Sequence, residues 1–331
     1  MALNSQLSRY GAIARPIDVP IGAKLFIVSD SDDTTVGPSN IGNLFPVDNE
    51  GVVRVYTTIQ AANNAATAGR GDVVVVLPGY DQSLTGADSW NTASTTFLGL
   101  GRGANRATLR YTGTSGEVGI GASNIRVSGF RFLAAVDSCV RAIDLDTGFQ
   151  GIQFDNNIFD FNANTNDFRT MLRLGSTRTR IESNRFIAED TAGAGRGISL
   201  KGAGGSYSII KDNFFYGQFD TVGDTTNGAS CIAHDTTDLD SISGILIQDN
   251  LFANTDTAAA SWMRLNGGGS VIRGLASGNR FASFDSSTAG DSLKIFTGRG
   301  AGTGVAFVDN LVASADSSTE KRVGDTIVVL S

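Results

Sequence analysis

An apolar-polar stretch ending in Asn-x-Phe recurs down the chain and sets its length scale. The copies read Ile152-Gln-Phe-Asp-Asn-Asn157-Ile-Phe159, Thr179-Arg-Ile-Glu-Ser-Asn184-Arg-Phe186, Ser208-Ile-Ile-Lys-Asp-Asn213-Phe-Phe215 and Ile245-Leu-Ile-Gln-Asp-Asn250-Leu-Phe252. Gly274-Leu-Ala-Ser-Gly-Asn279-Arg-Phe281 and Val305-Ala-Phe-Val-Asp-Asn310-Leu-Val312 follow, and Ile125-Arg-Val-Ser-Gly-Phe130-Arg-Phe132 is an earlier degenerate copy. The Asn recurs at steps of 27, 29, 37, 29 and 31 residues. Self-similarity at that period marks a solenoid, in which each repeat buries its apolar face only against its neighbours.

Between the copies lies a second short alternating stretch: Val118-Gly-Ile120, Ile143-Asp-Leu145, Leu172-Arg-Leu174, Ile198-Ser-Leu200, Ile232-Ala-His234, Met263-Arg-Leu265 and Leu293-Lys-Ile295. Period-two alternation is strand-like. Each repeat therefore reads as two or three short strands and turns. All five prolines lie at or before Pro78, which suits a body whose strands pair on both sides. The expected fold is all-β: a single-stranded parallel β-helix of about nine coils of ~29 residues. It is right-handed by the general rule for parallel crossovers. Residues 1–51 read as an N-terminal arm and small strand region, and 52–331 as the β-helix domain. Thr58 reads as the N-cap of a short capping helix from Ile59, with Gly69 as its stop.

The Asn column reads as a structural ladder. Asn157, Asn184, Asn213, Asn250, Asn279 and Asn310 suit tight turns, because Asn tolerates left-handed backbone and bonds local amides. The Phe two positions later would stack in the core.

The net charge of −7 argues against nucleic acid held on a broad basic surface. No run of about 18 apolar residues suggests a membrane span. The N-terminus lacks the pattern of a secretory signal. Two cysteines, Cys139 and Cys231, do not make a disulfide framework.

Catalytic motifs are weak. His234 is the only histidine, and its register places it in an inward column with Leu145, Leu174, Leu200, Leu265 and Ile295. Asp155 and Glu182 fall at one repeat position a coil apart, but Lys211 and Gln248 continue that column, as on a solvated mixed-charge face. Residues 29–33 lack the spacing of an EF-hand calcium loop. Residues 99–103 are glycine-rich but lead into a strand, so they fail as a phosphate loop. No catalytic residue, metal ligand or cofactor is assigned. Exposed aromatics beside an acidic groove would favour a glycan site, with Trp90, Trp262 and Tyr216 as candidates.

The helix Thr58-Ile-Gln-Ala-Ala, followed by Gly71-Asp-Val-Val-Val-Val-Leu-Pro-Gly79 and the Asn-x-Phe coils, resembles the pectin-lyase-like β-helix superfamily over about residues 52–312. With Lys24-Leu-Phe-Ile-Val-Ser-Asp-Ser-Asp-Asp-Thr-Thr-Val-Gly-Pro-Ser-Asn40, the chain also resembles β-helical virion proteins of tailed bacteriophages. That resemblance implies a non-enzymatic capsid decoration, or cement, protein on the outer capsid surface, made in a host bacterial cytoplasm. It also implies a homotrimer partnered by the major capsid protein, with no nucleic acid or membrane and with a surface glycan as a further partner. Leu3, Leu7, Tyr10, Ile13 and Ile17 would form the assembly arm. The alternative it implies is a tail spike or another β-helix that binds or cleaves a polysaccharide.

Overall fold

A computed structural model of the chain describes residues 20–30, 54–188, 195–219, 230–234, 240–254, 261–265, 271–283, 304–314 and 321–323. Its strands form three long sheets, and successive strands of each sheet come from successive repeats. Sheet A has eleven strands and contains Val73–Val76, Gln153–Asp155 and Arg180–Glu182. Sheet B has ten, including Arg131–Ala134, Ile158–Phe161 and Phe214–Gly217. Sheet C has seven, from Ala87–Ser89 to Ser261–Arg264. Each coil runs A, then B, then C, and all pairings are parallel except the last in sheet B. The chain is a parallel β-solenoid.

It makes about seven turns, not nine. The expectation divided the whole body by the repeat length. The step of 37 residues is longer than one regular coil, and Lys321–Val323 folds back antiparallel on Asn310–Ser314 instead of starting another coil. The helix, α1, spans Ile59–Ala65. The Thr58 side chain accepts from the Ala61 N–H, which satisfies one of the donors a helix start leaves free. The helix stops at Ala66, before Gly69, because Ala66 is already extended. Leu25–Val28, in the segment assigned to the arm, pairs with Val73–Val76 in sheet A. Leu3, Leu7, Tyr10, Ile13 and Ile17 lie outside the described residues.

Two columns fill the coil between sheets A and B. The first is polar. Asn157, Asn184, Asn213, Asn250 and Asn279 each present Oδ1 to the main-chain N–H of the preceding coil's equivalent residue, at 2.9–3.0 Å. Asn310 does the same for Asn279. Phe130 takes the first rung. Each side-chain amide also donates to a carbonyl of the preceding coil, Asn213 to Ile181 O at 2.8 Å, for example. The second column is aromatic. Phe159, Phe186, Phe215, Phe252 and Phe281 stack with successive centroids 4.7–4.8 Å apart, the interstrand spacing itself.

Candidate functional site

The outer face of sheet C and the loops leading into it gather the most unusual ionisable groups among the described residues. Their positions follow from coil register. Ile143–Leu145 pairs with Leu172 to Leu174, so Asp144 lies beside Arg173. On the other side it pairs with Val118 to Ile120. Outward side chains along this row are therefore neighbours one strand spacing apart.

Those neighbours form a chain of ion pairs. Arg141 Nε lies 2.8 Å from Glu117 Oε2, and Arg141 Nη1 lies 3.4 Å from Asp144 Oδ2. Arg173 grips Asp144 with both arms of its fork, with Nε 2.6 Å from Oδ1. Bidentate guanidinium pairing fixes both partners. Asp146 stands two residues further on the same side of the strand. Burial and the charge of Asp144 raise its pKa, against the opposing pull of Arg173, Lys201 and Arg141.

The loops before sheet C hold a carboxylate pair. Cys139 bridges to Phe168 in strand fashion: Cys139 N–H donates to Asp167 O at 3.1 Å, and Arg169 N–H to Cys139 O at 2.8 Å. These bonds stack two successive loops rigidly. Ser138 sits at φ 56°, left-handed for a non-glycine residue. Its N–H donates to Asp167 Oδ1 at 2.5 Å, and its hydroxyl to Asp137 Oδ1 at 2.9 Å. Asp167 is 4% exposed, and its Oδ2 accepts no hydrogen bond among the described residues. Burial pushes Asp167 up to about 6, and Asp137 adds to the rise by charge and hydrogen bonding. The Ser138 N–H and Arg169 oppose it. Ser138 thus bridges the two carboxylates, its N–H on Asp167 and its hydroxyl on Asp137. Asp137 is the exposed member of the pair.

The other candidates divide differently. His234 pairs with Leu200 and is fully buried in the core, far from catalytic exposure. Asp155 does stack on Glu182 in sheet A. Arg126 and Ser128 hold Asp155, and Arg180 holds Glu182, so the two carboxylates are separately neutralised. Trp90 and Trp262 are buried at 0% and 1% exposure and cannot line a glycan groove. Tyr216, at 39%, is exposed. Cys139 and Cys231 are free and buried, with thiols that burial pushes up. Residues 99–103 form a coil turn followed by a short 3-10 turn at Gly103–Asn105. Of residues 29–33, only Ser29 and Asp30 are described. Among the described residues no group of three or more His, Cys, Asp or Glu could hold a metal ion.

Sequence reasoning missed Asp137 and Asp167 because it aligned coils on the Asn column, 27 residues apart at that point. The loop follows the register of sheet C instead, where Ile143 meets Leu172 and Cys139 meets Phe168. Counting back from the second alternating stretch sets Asp167 opposite Ser138, the neighbour of Asp137.

No protein-family model and no curated protein matches the chain. Solved structures do. The tailspike protein of E. coli bacteriophage HK620, a mutant in complex with a pentasaccharide, is 14% identical with a TM-score of 0.44. The match covers 82% of this chain and 62% of that one, so this chain spans less than two thirds of the tailspike. Pectate lyase from Bacillus sp. N165, in complex with trigalacturonate, is 12% identical over 97% of this chain and 92% of that one, with a TM-score of 0.42. Endo-xylogalacturonan hydrolase from Aspergillus tubingensis is 11% identical over 91% and 98%, also at 0.42. The expectation that the chain is not an enzyme is corrected: polysaccharide lyases and hydrolases are among the similar structures. By its own strand topology, the chain is a parallel β-helix.

Proposed function

We propose that the chain binds a polysaccharide along the outer face of sheet C and cleaves it beside Asp137. The carrying observation is the Asp137–Asp167 pair: a buried carboxyl raised to about 6 and an exposed one, both held by Ser138 at the rim of a charged strand ladder. Glycoside cleavage commonly uses two carboxyls in different surroundings, one buried and one open to substrate. Asp137 is the member that reaches a substrate, and Asp167 positions it through Ser138. Arg141, Arg173 and Lys201 supply cationic contacts for the hydroxyl and carboxylate groups of a saccharide.

The capsid-cement reading gains nothing from the described residues and gives way to this one. The sequence resemblance to phage virion proteins still motivates a setting on a virion, as a homotrimer that engages a surface glycan. The test is incubation with a panel of acidic and neutral polysaccharides, followed for new reducing ends and for unsaturated products. Cleavage that survives Asp137→Asn at full rate would remove the pair from the mechanism.

A further inference from the structure

The N-terminal end of the rod carries a cap whose described parts all precede the first regular coil in the sequence. Leu25–Val28 lies in sheet A between Val55–Tyr56 and Val73–Val76. Helix α1 packs on the same three strands and lays Ile59 and Ala62 on the core. Phe26 and Val28 join Val74 and Val76 in that core, while Leu25 and Ile27 pack with Val73 and Val75 on the other face of the sheet.

These segments meet at Asp72, whose side chain is 0% exposed. Its Oδ1 accepts from the Lys24 N–H at 2.7 Å, where the strand Leu25–Val28 begins. Its Oδ2 accepts from the Thr67 N–H at 2.7 Å, just past the end of α1. Arg70 adds both arms of its fork, with Nε 2.6 Å from Oδ1 and Nη2 2.5 Å from Oδ2. All four neighbours are donors, a set that only an ionised carboxylate satisfies. Protonation sets an O–H against N–H groups that cannot accept it, and leaves buried donors unpaired. The main chain of Asp72 faces the body instead: its carbonyl accepts from the Thr96 N–H at 2.9 Å. Asp72 is thus anchored in the first coils and holds the cap by its side chain.

We propose that Asp72 is an acid-released latch: with its carboxyl protonated, Leu25–Val28 and α1 come away from Val73–Val76 as a unit while the coils beyond stay closed. The other bonds that hold the cap are between neutral groups. Asn63 Nδ2 donates to Asn91 Oδ1 at 3.2 Å and to Ser89 O at 3.4 Å, and the Tyr80 hydroxyl donates to Thr57 O at 3.0 Å. Among the described residues, Arg70 is the charged side chain that acts on Asp72. Burial pushes the Asp72 pKa up, but the Arg70 fork, the Thr67 and Lys24 N–H groups and the Arg70 charge outweigh it and hold the carboxyl below its ordinary range. A depressed folded pKa makes the latch complete above about pH 4 and loses it as the pH falls through the folded value. Asp88, in the first strand of sheet C, works in the opposite sense: burial raises its pKa, so acid relieves it. The latch uses none of the sheet C cleavage residues and stands apart from that reading.

The test is hydrogen exchange of the full chain, read by mass spectrometry as protection factors from about pH 7 to about pH 2. Cap peptides covering Leu25–Val28 and Ile59–Ala65 are compared with body peptides covering Arg131–Ala134 and Arg180–Glu182. The proteins are the wild type, Asp72→Asn and Arg70→Gln. Asp72→Asn turns one acceptor into a donor that faces donors. At neutral pH its cap peptides should lose about tenfold or more in protection, with the body unchanged. The wild type should show the same selective loss only below about pH 4. Arg70→Gln keeps the carboxylate and its two main-chain bonds, so its cap should release at a higher pH than that of the wild type. Loss of cap and body protection together in the wild type overturns the proposal. So does a cap in Asp72→Asn as protected as the wild type's, or an unmoved acid midpoint in Arg70→Gln. Should Asp72→Asn fail to fold, the wild type and Arg70→Gln decide the matter between them.

Discussion

At the level of single residues, the turn between sheets A and B divides its work between adjacent positions. The ladder Asn supplies hydrogen bonds, and the residue before it takes the left-handed backbone: Asn156, Ser183, Asp212, Asp249 and Asp309 have φ between 51° and 57°. The repeat spacing makes the turn legible, but it suggests that the ladder Asn bends the chain. In fact its side chain must point inward, and the preceding residue is left to reverse the direction. Asn213→Ala would strand the Asn184 N–H and the Ile181 carbonyl in the core. It should cost about 2–5 kcal/mol in denaturant unfolding. Ser183→Gly should be neutral or stabilise by up to about 1 kcal/mol, because glycine adopts that φ without strain. Asp167 has its own pH signature. Its folded pKa is raised to about 6 from an ordinary carboxylate value, so its favourable contribution is complete below about pH 4. It fades as pH rises towards 6. Thermal melts from acid to neutral pH should show that decline in the wild type and a flatter profile in Asp167→Asn.

At the level of elements, the sheets are held in register by columns that run through every coil. The Phe stack is the clearest, and the sequence displays it directly, since one Phe follows each ladder Asn but the last by two positions. Phe186 packs between Phe159 and Phe215 with its ring nearly parallel to both. Phe186→Ala opens a hole that rigid neighbouring coils cannot close and should cost about 3–5 kcal/mol. Gly217 is a less visible constraint. Its φ is +104°, and a Cβ there would lie 2.0 Å from Ala188 O, so Gly217→Ala should separate two coils and lower the melting temperature sharply. Nothing in the sequence around Gly217 announces this, because the clash is with backbone 29 residues away. A separation of 30 residues hid the Asp137–Asp167 pair in the same way. Loop residues meet across coils by the register of the strand they lead into, and local motifs carry no trace of that.

Over the whole molecule, a rod with three sheets offers faces of different character. Sheet A carries neutralised pairs such as Arg126–Asp155. Sheet C carries the Glu117–Arg141–Asp144–Arg173 chain and the carboxyl pair at its edge. Sheet B carries the Arg110–Asp81 and Arg131–Asp160 pairs and an outward step of Arg185, Phe214 and Tyr216. Composition averages these faces to a mildly acidic protein with few charges, which is why the sequence pointed to a passive structural role. The architecture was legible from periodicity, whereas the chemistry depended on which loops the coils bring together. The most direct measurement is product analysis of polysaccharides incubated with wild type and Asp137→Asn, with both proteins first shown to melt alike. The account predicts new reducing ends or unsaturated products from the wild type and at least about a hundredfold less from the variant. Equal product from both, or none from the wild type on any acidic or neutral polysaccharide tested, would contradict it.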